Sequence, residues 1–153
     1  MLGSTLAWMA LGAGAVSATA STPVEARVAR NLSIHETGSM YLVGHPEGRI
    51  INERGTISGT YRGSIEARLV TFTNTTGEAT LTAYTSGGSL KLKAATRGRP
   101  EKGEEAIGHF YGTATVTGGT GRWAHASGHM AFSGSVDRRN LRVTAEMRGT
   151  LHV

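Results

Sequence analysis

A carboxylate and a phenol are the side chains of this chain best placed by type and spacing to act on a small molecule. In an extended chain, Glu53 and Tyr61 fall on the face that also carries Ile51, Ile57 and Ile65, because alternate residues of a strand share a face. Buried there, Glu53 would have a raised pKa and could protonate or hydrogen-bond a ligand. The alternative is that residues 52–55 form a turn and that Glu53 is solvated.

Four more large side chains are candidates to line the same interior. Phe110, Met130, Phe132 and Met147 each occupy an inward position of a predicted strand. Gly and Ala residues on the same faces leave room between them, which predicts an apolar pocket. Ordinary core packing is the alternative for each of the four.

Metal binding and the common catalytic motifs are not indicated. The six histidines are scattered, and only His125 and His129 are close, in a turn that enters a strand rather than on one helical face. There is no cysteine, no nucleophile elbow and no phosphate-binding or nucleotide-binding fingerprint. We therefore predict no metal and no cofactor, and no catalytic residue is assigned.

Short strands must position these groups. Turn signals divide the chain into nine segments, 32–43, 49–52, 56–61, 64–73, 78–84, 89–97, 106–117, 128–137 and 141–152, and eight strands result if two neighbours merge. Apolar and polar residues alternate within them, as in 141–151, where the odd positions are mainly apolar. Residues 137–140 predict a hairpin turn. The fold class is all-β, with a single closed or nearly closed antiparallel barrel of about eight strands.

Residues 116–128 place a Gly-rich reversal and Trp123 between two alternating strands, and the tryptophan is large enough to plug one barrel end. This stretch resembles the GGTG-x-aromatic-x-x-A-x-G turn of the allene oxide cyclase and dirigent-type β-barrels, with Ala126-Ser127-Gly128 as its last part. Gly59-Thr60-Tyr61-Arg62-Gly63 is a weaker match to an early strand of those proteins. The resemblance covers about residues 31–153 and is nearest to small secreted bacterial barrel proteins with no common activity. It implies the fold, and no active-site residue is carried over.

The N-terminal segment is typical of an export signal. Residues 1–20 carry no charge, and an apolar run over 6–16 is followed by Ala18-Thr19-Ala20, which predicts a secretory signal peptide cleaved after Ala20. The run is shorter than the ~18 to 20 residues that span a membrane. We expect a secreted or extracytoplasmic protein with a tether at 21–30, a barrel domain at 31–153 and no transmembrane segment in the mature chain.

Basic residues form two clusters in a chain of formal net charge +5. Arg97, Arg99 and Lys102 belong to one predicted loop, and Arg138, Arg139 and Arg142 to another. They indicate either a solvated basic rim or a surface for an anionic cell-surface polymer. Nucleic acid is not expected as a partner, because no stacking aromatic residues are interleaved with these arginines.

Three functions remain open, and binding of a small apolar ligand in a secreted barrel comes first. The second is a cofactor-free cyclase-like or dirigent-like enzyme, which would work by shaping a flexible substrate. The third is an extracytoplasmic structural or surface-binding protein, of the kind labelled autotransporter-like. A cavity would separate the first two from the third, and a polar group deep in the cavity would favour the enzyme. Whether the protein is an enzyme stays undecided at this point.

Overall fold

The computed structural model describes residues 30–73, 75–99 and 106–153. The predicted signal segment 1–20, nearly all of the tether 21–30, and Lys102 lie outside the described residues. The elements are β1 (Asn31–Leu42), β2 (Ile50–Gly59), β3 (Gly63–Thr71), β4 (Thr76–Thr85), β5 (Gly88–Gly98), β6 (Ile107–Gly119), a single 3-10 turn (Gly121–Trp123), β7 (Ser127–Asp137) and β8 (Arg142–His152). Among the described residues, no helix is long and apolar enough to cross a membrane.

The eight strands form a closed barrel, which confirms the predicted fold class. Each strand pairs antiparallel with the next, and β8 pairs with β1 to close the sheet. The strands are staggered around the barrel. Glu53 on β2 pairs directly with Leu42 on β1, but the path of paired residues that leads from Glu53 through β3 to β8 reaches β1 at Leu32. The two positions on β1 differ by ten residues. Strands with such a stagger are tilted, and eight of them enclose an interior that side chains fill or that holds one small ligand.

The predicted alternation sorts the two faces of the barrel. On β8, Val143 and Leu151 are buried, and Ala145 and Met147 also face the interior. The inward residues of β3, β5 and β7 follow the predicted parity as well, including Ile65, Leu92 and Met130. The apolar side chains of successive strands therefore meet inside one barrel, and most of the charged side chains face outward.

The structure excludes the alternative turn at residues 52–55 and corrects one strand boundary. Residues 49–52 and 56–61 do not flank a turn, because β2 runs without interruption from Ile50 to Gly59. Gly55 was read as a turn residue, but it lets β1 approach closely: a Cβ there would lie 1.9 Å from the Ser39 carbonyl oxygen. Residues 59–63, in contrast, are not inside a strand, since residues 60–62 connect β2 to β3 and Thr60 N–H donates to the His35 carbonyl.

The barrel has two distinct ends, which we call the floor and the rim. The floor carries the β2–β3, β4–β5 and β6–β7 connections together with the start of β1 and the end of β8. The rim carries the β1–β2, β3–β4, β5–β6 and β7–β8 connections. Trp123, which is 1% exposed, lies in the β6–β7 connection and closes the floor.

Candidate functional site

The barrel encloses a cavity of about 460 Å³ that extends from the floor to the rim. Small inward residues leave this space open, among them Gly38, Ala67, Ala83 and Ala94. Its lining is mostly apolar, with a few polar groups at the two ends. A volume of this size lies within the ~300–1,000 Å³ usual for small-molecule pockets.

All six residues singled out from the sequence line this cavity: Glu53, Tyr61, Phe110, Met130, Phe132 and Met147. Met130 is fully buried, and the other five are partly buried. Five of them project from strands, whereas Tyr61 belongs to the β2–β3 connection. The position of Tyr61 inside the barrel therefore comes from the shape of the connection and not from strand parity.

An aromatic and cationic cluster seals the floor. The Trp123 indole N–H donates to Thr85 Oγ1 at 3.0 Å, so its one polar group is satisfied although the ring is buried. The Tyr61 and Trp123 rings meet edge to face, with centroids 4.8 Å apart. The Arg122 guanidinium lies 4.5 Å from the Trp123 ring centroid and 5.6 Å from that of Tyr61. These contacts join the β6–β7 connection to the β2–β3 connection and to the end of β4.

Two phenylalanines line the wall formed by β6 and β7. Phe110 is the cross-strand partner of Gly134, and Phe132 is the partner of Gly112. A Cβ added at either glycine would lie 2.5 Å from the Cζ atom of the facing phenylalanine. The tips of both rings thus lie over glycine backbone, and the ring centroids are 6.2 Å apart.

Glu53 projects into the cavity from the middle of β2, between Leu42 on β1 and Ala67 on β3. Burial raises the pKa of its carboxyl above the ordinary value, because the charged form loses hydration. No described residue gives this carboxyl a compensating charge or hydrogen bond. Glu53 is therefore a polar group in an apolar wall, able to hydrogen-bond a bound molecule.

Glu36 is a second buried carboxyl, which the sequence reasoning missed. It is 9% exposed and lies near the floor, where its Oε1 accepts a hydrogen bond from the Tyr61 backbone N–H at 2.8 Å. Its Oε2 has no hydrogen-bond partner among the described residues. Burial raises the pKa of Glu36, and the bond from Tyr61 and the nearby His35 oppose that rise only in part. The signal was present in the sequence, because Glu36 shares its parity with Ile34 and Met40.

The two carboxyls lie at different depths of the barrel. Glu36 pairs with Gly59 at the end of β2, whereas Glu53 pairs with Leu42, six residues further along β1. Six residues of strand correspond to about 20 Å. The two groups therefore cannot act together on one atom of a ligand, and each would meet a different part of an elongated molecule.

The rim of the cavity is more polar than its middle. Arg99, His109 and Arg138 line it, together with threonines of β3, β4 and β5 such as Thr71 and Thr96. Arg99 and Arg138 belong to two basic clusters that are far apart in the sequence, and both line the same rim. Arg97, Arg139 and Arg142 also belong to this end but do not line the cavity. Lys102 lies outside the described residues.

Within the described ranges, no three metal-ligating side chains come together. His35 instead contacts Glu146 on the outer face, with Nε2 2.5 Å from Oε1, and Arg148 shares that carboxylate. These charges, together with Lys91 and Lys93, belong to the outer wall. The groups that can act on an enclosed molecule are therefore two carboxyls, one phenol and the rim side chains. Their chemistry is hydrogen bonding and proton transfer to a ligand oxygen.

Comparison with known proteins supports the fold. No protein-family profile and no curated protein matches the chain. Among solved structures it is similar to the pterocarpan synthase dirigent protein GePTS1, with a TM-score of 0.52 and 15% sequence identity over 81% of this chain and 85% of that one. At this identity the similarity concerns the backbone and not the site residues. The chain therefore has the β-barrel fold of the dirigent proteins.

Proposed function

We propose that this protein binds a small, largely apolar molecule inside its barrel. The observation that carries the proposal is the cavity of about 460 Å³. A barrel serving only as a structural element would be filled by side chains, as protein interiors generally are. Here small residues stand at inward positions such as Gly38 and Ala94, and the two phenylalanines lie against glycines, so that space is left in the middle.

The polar groups limit which molecules fit. Burial keeps Glu36 and Glu53 closer to the neutral, protonated form than exposed glutamates. A neutral carboxyl donates a hydrogen bond well to a carbonyl, ether or hydroxyl oxygen and does not require a cation. A neutral apolar molecule that carries one or two oxygens therefore complements the cavity better than a charged one.

The experiment is recovery of the natural ligand. The protein is purified from its own medium and measured by native mass spectrometry, before and after denaturation in organic solvent. The proposal predicts a bound mass that the solvent releases and that restores a raised melting temperature when added back. A protein that is ligand-free from every source, and whose melting temperature no apolar compound raises, would favour a purely structural barrel.

An enzymatic role is the second candidate, favoured by the Glu53 carboxyl, which no described residue pairs. One similar solved structure is that of a pterocarpan synthase dirigent protein, and a barrel of the same fold could direct a cofactor-free conversion in this chain. Glu53→Gln keeps the shape of the side chain and removes its proton. If the protein converts the recovered molecule, this variant should bind it but not change it, as followed by chromatography and mass spectrometry. Equal conversion by both forms would exclude Glu53 as the acid.

We further propose that binding takes place outside the cytoplasm. The support is the uncharged apolar segment 1–20 and its Ala18-Thr19-Ala20 end. The secreted form should then begin at Ser21, which mass spectrometry of the exported protein measures. A form that retains Met1 would contradict this part of the proposal.

A further inference from the structure

Large apolar side chains are exposed mainly at one end of the barrel. Six of them are 40–54% exposed in the part of the chain that the structure describes: Tyr41, Val43, Phe72, Tyr84, Tyr111 and Leu141. All except Tyr84 lie in or next to the rim. Exposed apolar residues scattered singly need no explanation, but their concentration at one end indicates an interaction surface.

Val43, Phe72 and Leu141 lie in three neighbouring connections of the rim, and we call these three residues the rim arc. Val143 on β8 pairs with Met40 on β1. Leu141 lies two residues before Val143, which places it beside the end of β1 and close to Val43. Arg49 connects the next part: its carbonyl accepts from Thr71 N–H at 2.9 Å, and its Nη1 donates to the Phe72 carbonyl at 3.2 Å. Three connections thus present their apolar tips side by side.

Leu141 keeps its exposed position in a strained backbone. Its φ is +55°, and it is the only non-glycine residue with positive φ among those described. It follows the tight turn at 137–140, where Leu141 N–H donates to the Asp137 carbonyl at 2.7 Å. Glycine would adopt this conformation without strain. Leu141 therefore holds a side chain that is 41% exposed at the rim, in a conformation that L residues rarely adopt.

The charges beside the rim arc favour one kind of partner. Among the described residues, Arg49 and Arg139 lie in its connections and Arg142 begins β8, and the carboxylates beside them are Glu47 and, at the end of β7, Asp137. Asp137 is already paired with Arg139. Apolar tips surrounded by an excess of arginine match the interface of a lipid bilayer, where the tips enter the acyl boundary and the guanidinium groups meet anionic headgroups.

We propose that the rim arc docks the barrel on a lipid bilayer that contains anionic headgroups. The cavity reaches the same rim, where Pro46, Thr73 and Leu141 line it. A docked barrel would therefore receive an apolar molecule directly from the bilayer and not through water. This route rests on the proposed binding function, whereas the docking itself rests only on the rim residues.

Flotation with lipid vesicles tests the proposal. The mature protein is mixed with vesicles of phosphatidylcholine alone or with added phosphatidylglycerol, and the bound fraction is measured. We expect binding to the anionic vesicles, weakened about tenfold or more in the double variant Phe72→Ser/Leu141→Gly. Glycine at 141 relieves the backbone strain, and the melting temperature of the single variant Leu141→Gly should not fall. Tyr84→Ser removes an equally exposed ring at the floor end and should bind as wild type.

The same assay tests the role of the arginine charge and distinguishes a bilayer from other partners. Arg142→Gln should weaken binding to anionic vesicles and leave any binding to phosphatidylcholine unchanged. No vesicle binding, or equal binding by the double variant and wild type, would overturn the proposal. If the protein binds a soluble anionic polymer and the double variant binds it equally well, the arginines serve such a polymer instead. If the protein forms dimers and the double variant does not, the rim arc contacts a second copy of the chain. A soluble apolar probe, titrated without vesicles, reports on the cavity independently of docking.

Discussion

The ring of Phe132 lies over Gly112 on the neighbouring strand, so closely that a Cβ at Gly112 would be 2.5 Å from its Cζ atom. The same Cβ would be 2.0 Å from the Ala95 carbonyl oxygen on the other side. Because backbone cannot yield as a side chain does, we expect Gly112→Ala to lower the free energy of unfolding by about 1–3 kcal/mol. Urea denaturation followed by far-UV circular dichroism measures the loss.

Gly98→Ala is the matched control for that substitution. Gly98 also lies in a strand, but the nearest atom to its added Cβ is 3.6 Å away. It should change the unfolding free energy by no more than about 0.5 kcal/mol. Equal effects of the two substitutions would mean that the wall formed by β6 and β7 is loosely packed and that Phe132 does not lie against the backbone.

Gly121 begins the 3-10 turn that carries Trp123 into the floor. Its φ is +60°, and a Cβ there would lie 2.4 Å from the Gly87 carbonyl oxygen. A β-branched residue fits neither condition, so Gly121→Val should cost more than about 1 kcal/mol in the free energy of unfolding. Chemical denaturation of the variant measures it.

A substitution at Gly44 separates the effect of backbone strain from that of the carbonyl contact. Its φ is +73°, but no atom lies within 4 Å of an added Cβ. Gly44→Val should therefore carry the backbone strain without the carbonyl contact and cost less than Gly121→Val. If Gly121→Val unfolds at the wild-type denaturant concentration, the Gly-rich turn is a flexible loop and does not fix the plug.

The raised pKa of Glu53 predicts a pH-dependent stability. Between the ordinary glutamate pKa of about 4.3 and its raised folded value, the folded state binds more protons than the unfolded state. Stability therefore falls as pH rises through this window. Glu53→Gln has no such penalty, so the variant should melt at a higher temperature than wild type at neutral pH and at a similar temperature well below pH about 4.

Thermal unfolding monitored by circular dichroism over that pH range makes the comparison. Glu78→Gln, at an exposed position of β4, controls for the loss of one negative charge. A difference between Glu53→Gln and wild type that stays constant with pH would show that Glu53 is hydrated in the folded protein.

The alternation of apolar and polar residues was enough to predict most of the barrel, because every second residue of a strand faces the interior and is mainly apolar. It placed Met130, Phe132 and Met147 on the inside, where they line the cavity. Glu36 could have been found by the same parity on β1. It was overlooked because no inward face was assigned to residues 32–43 from the sequence.

Other parts of the site depend on contacts between strands, which spacing along one strand does not contain. Glycine is typical of turns, but Gly55 lies within a strand, where the close approach of β1 leaves no room for a larger residue. The pairing of Phe132 with Gly112 requires the register between β6 and β7. The inward position of Tyr61 depends on how the β2–β3 connection packs on Trp123. The rim arc likewise appears only when three distant connections come together.

The central claim, that the barrel holds a small apolar molecule, is tested most directly by filling the cavity from within. Gly38 lines the cavity in β1, and an added Cβ would meet no atom closer than 3.8 Å, so Gly38→Val should fold normally and occupy the space. Calorimetric titration of the mature protein with a small apolar probe should give saturable binding, weakened about tenfold or more by Gly38→Val and unchanged by Lys93→Ala on the outer face. Binding of equal affinity in wild type and Gly38→Val, or no saturable binding to the folded wild type by any apolar probe, would contradict the account.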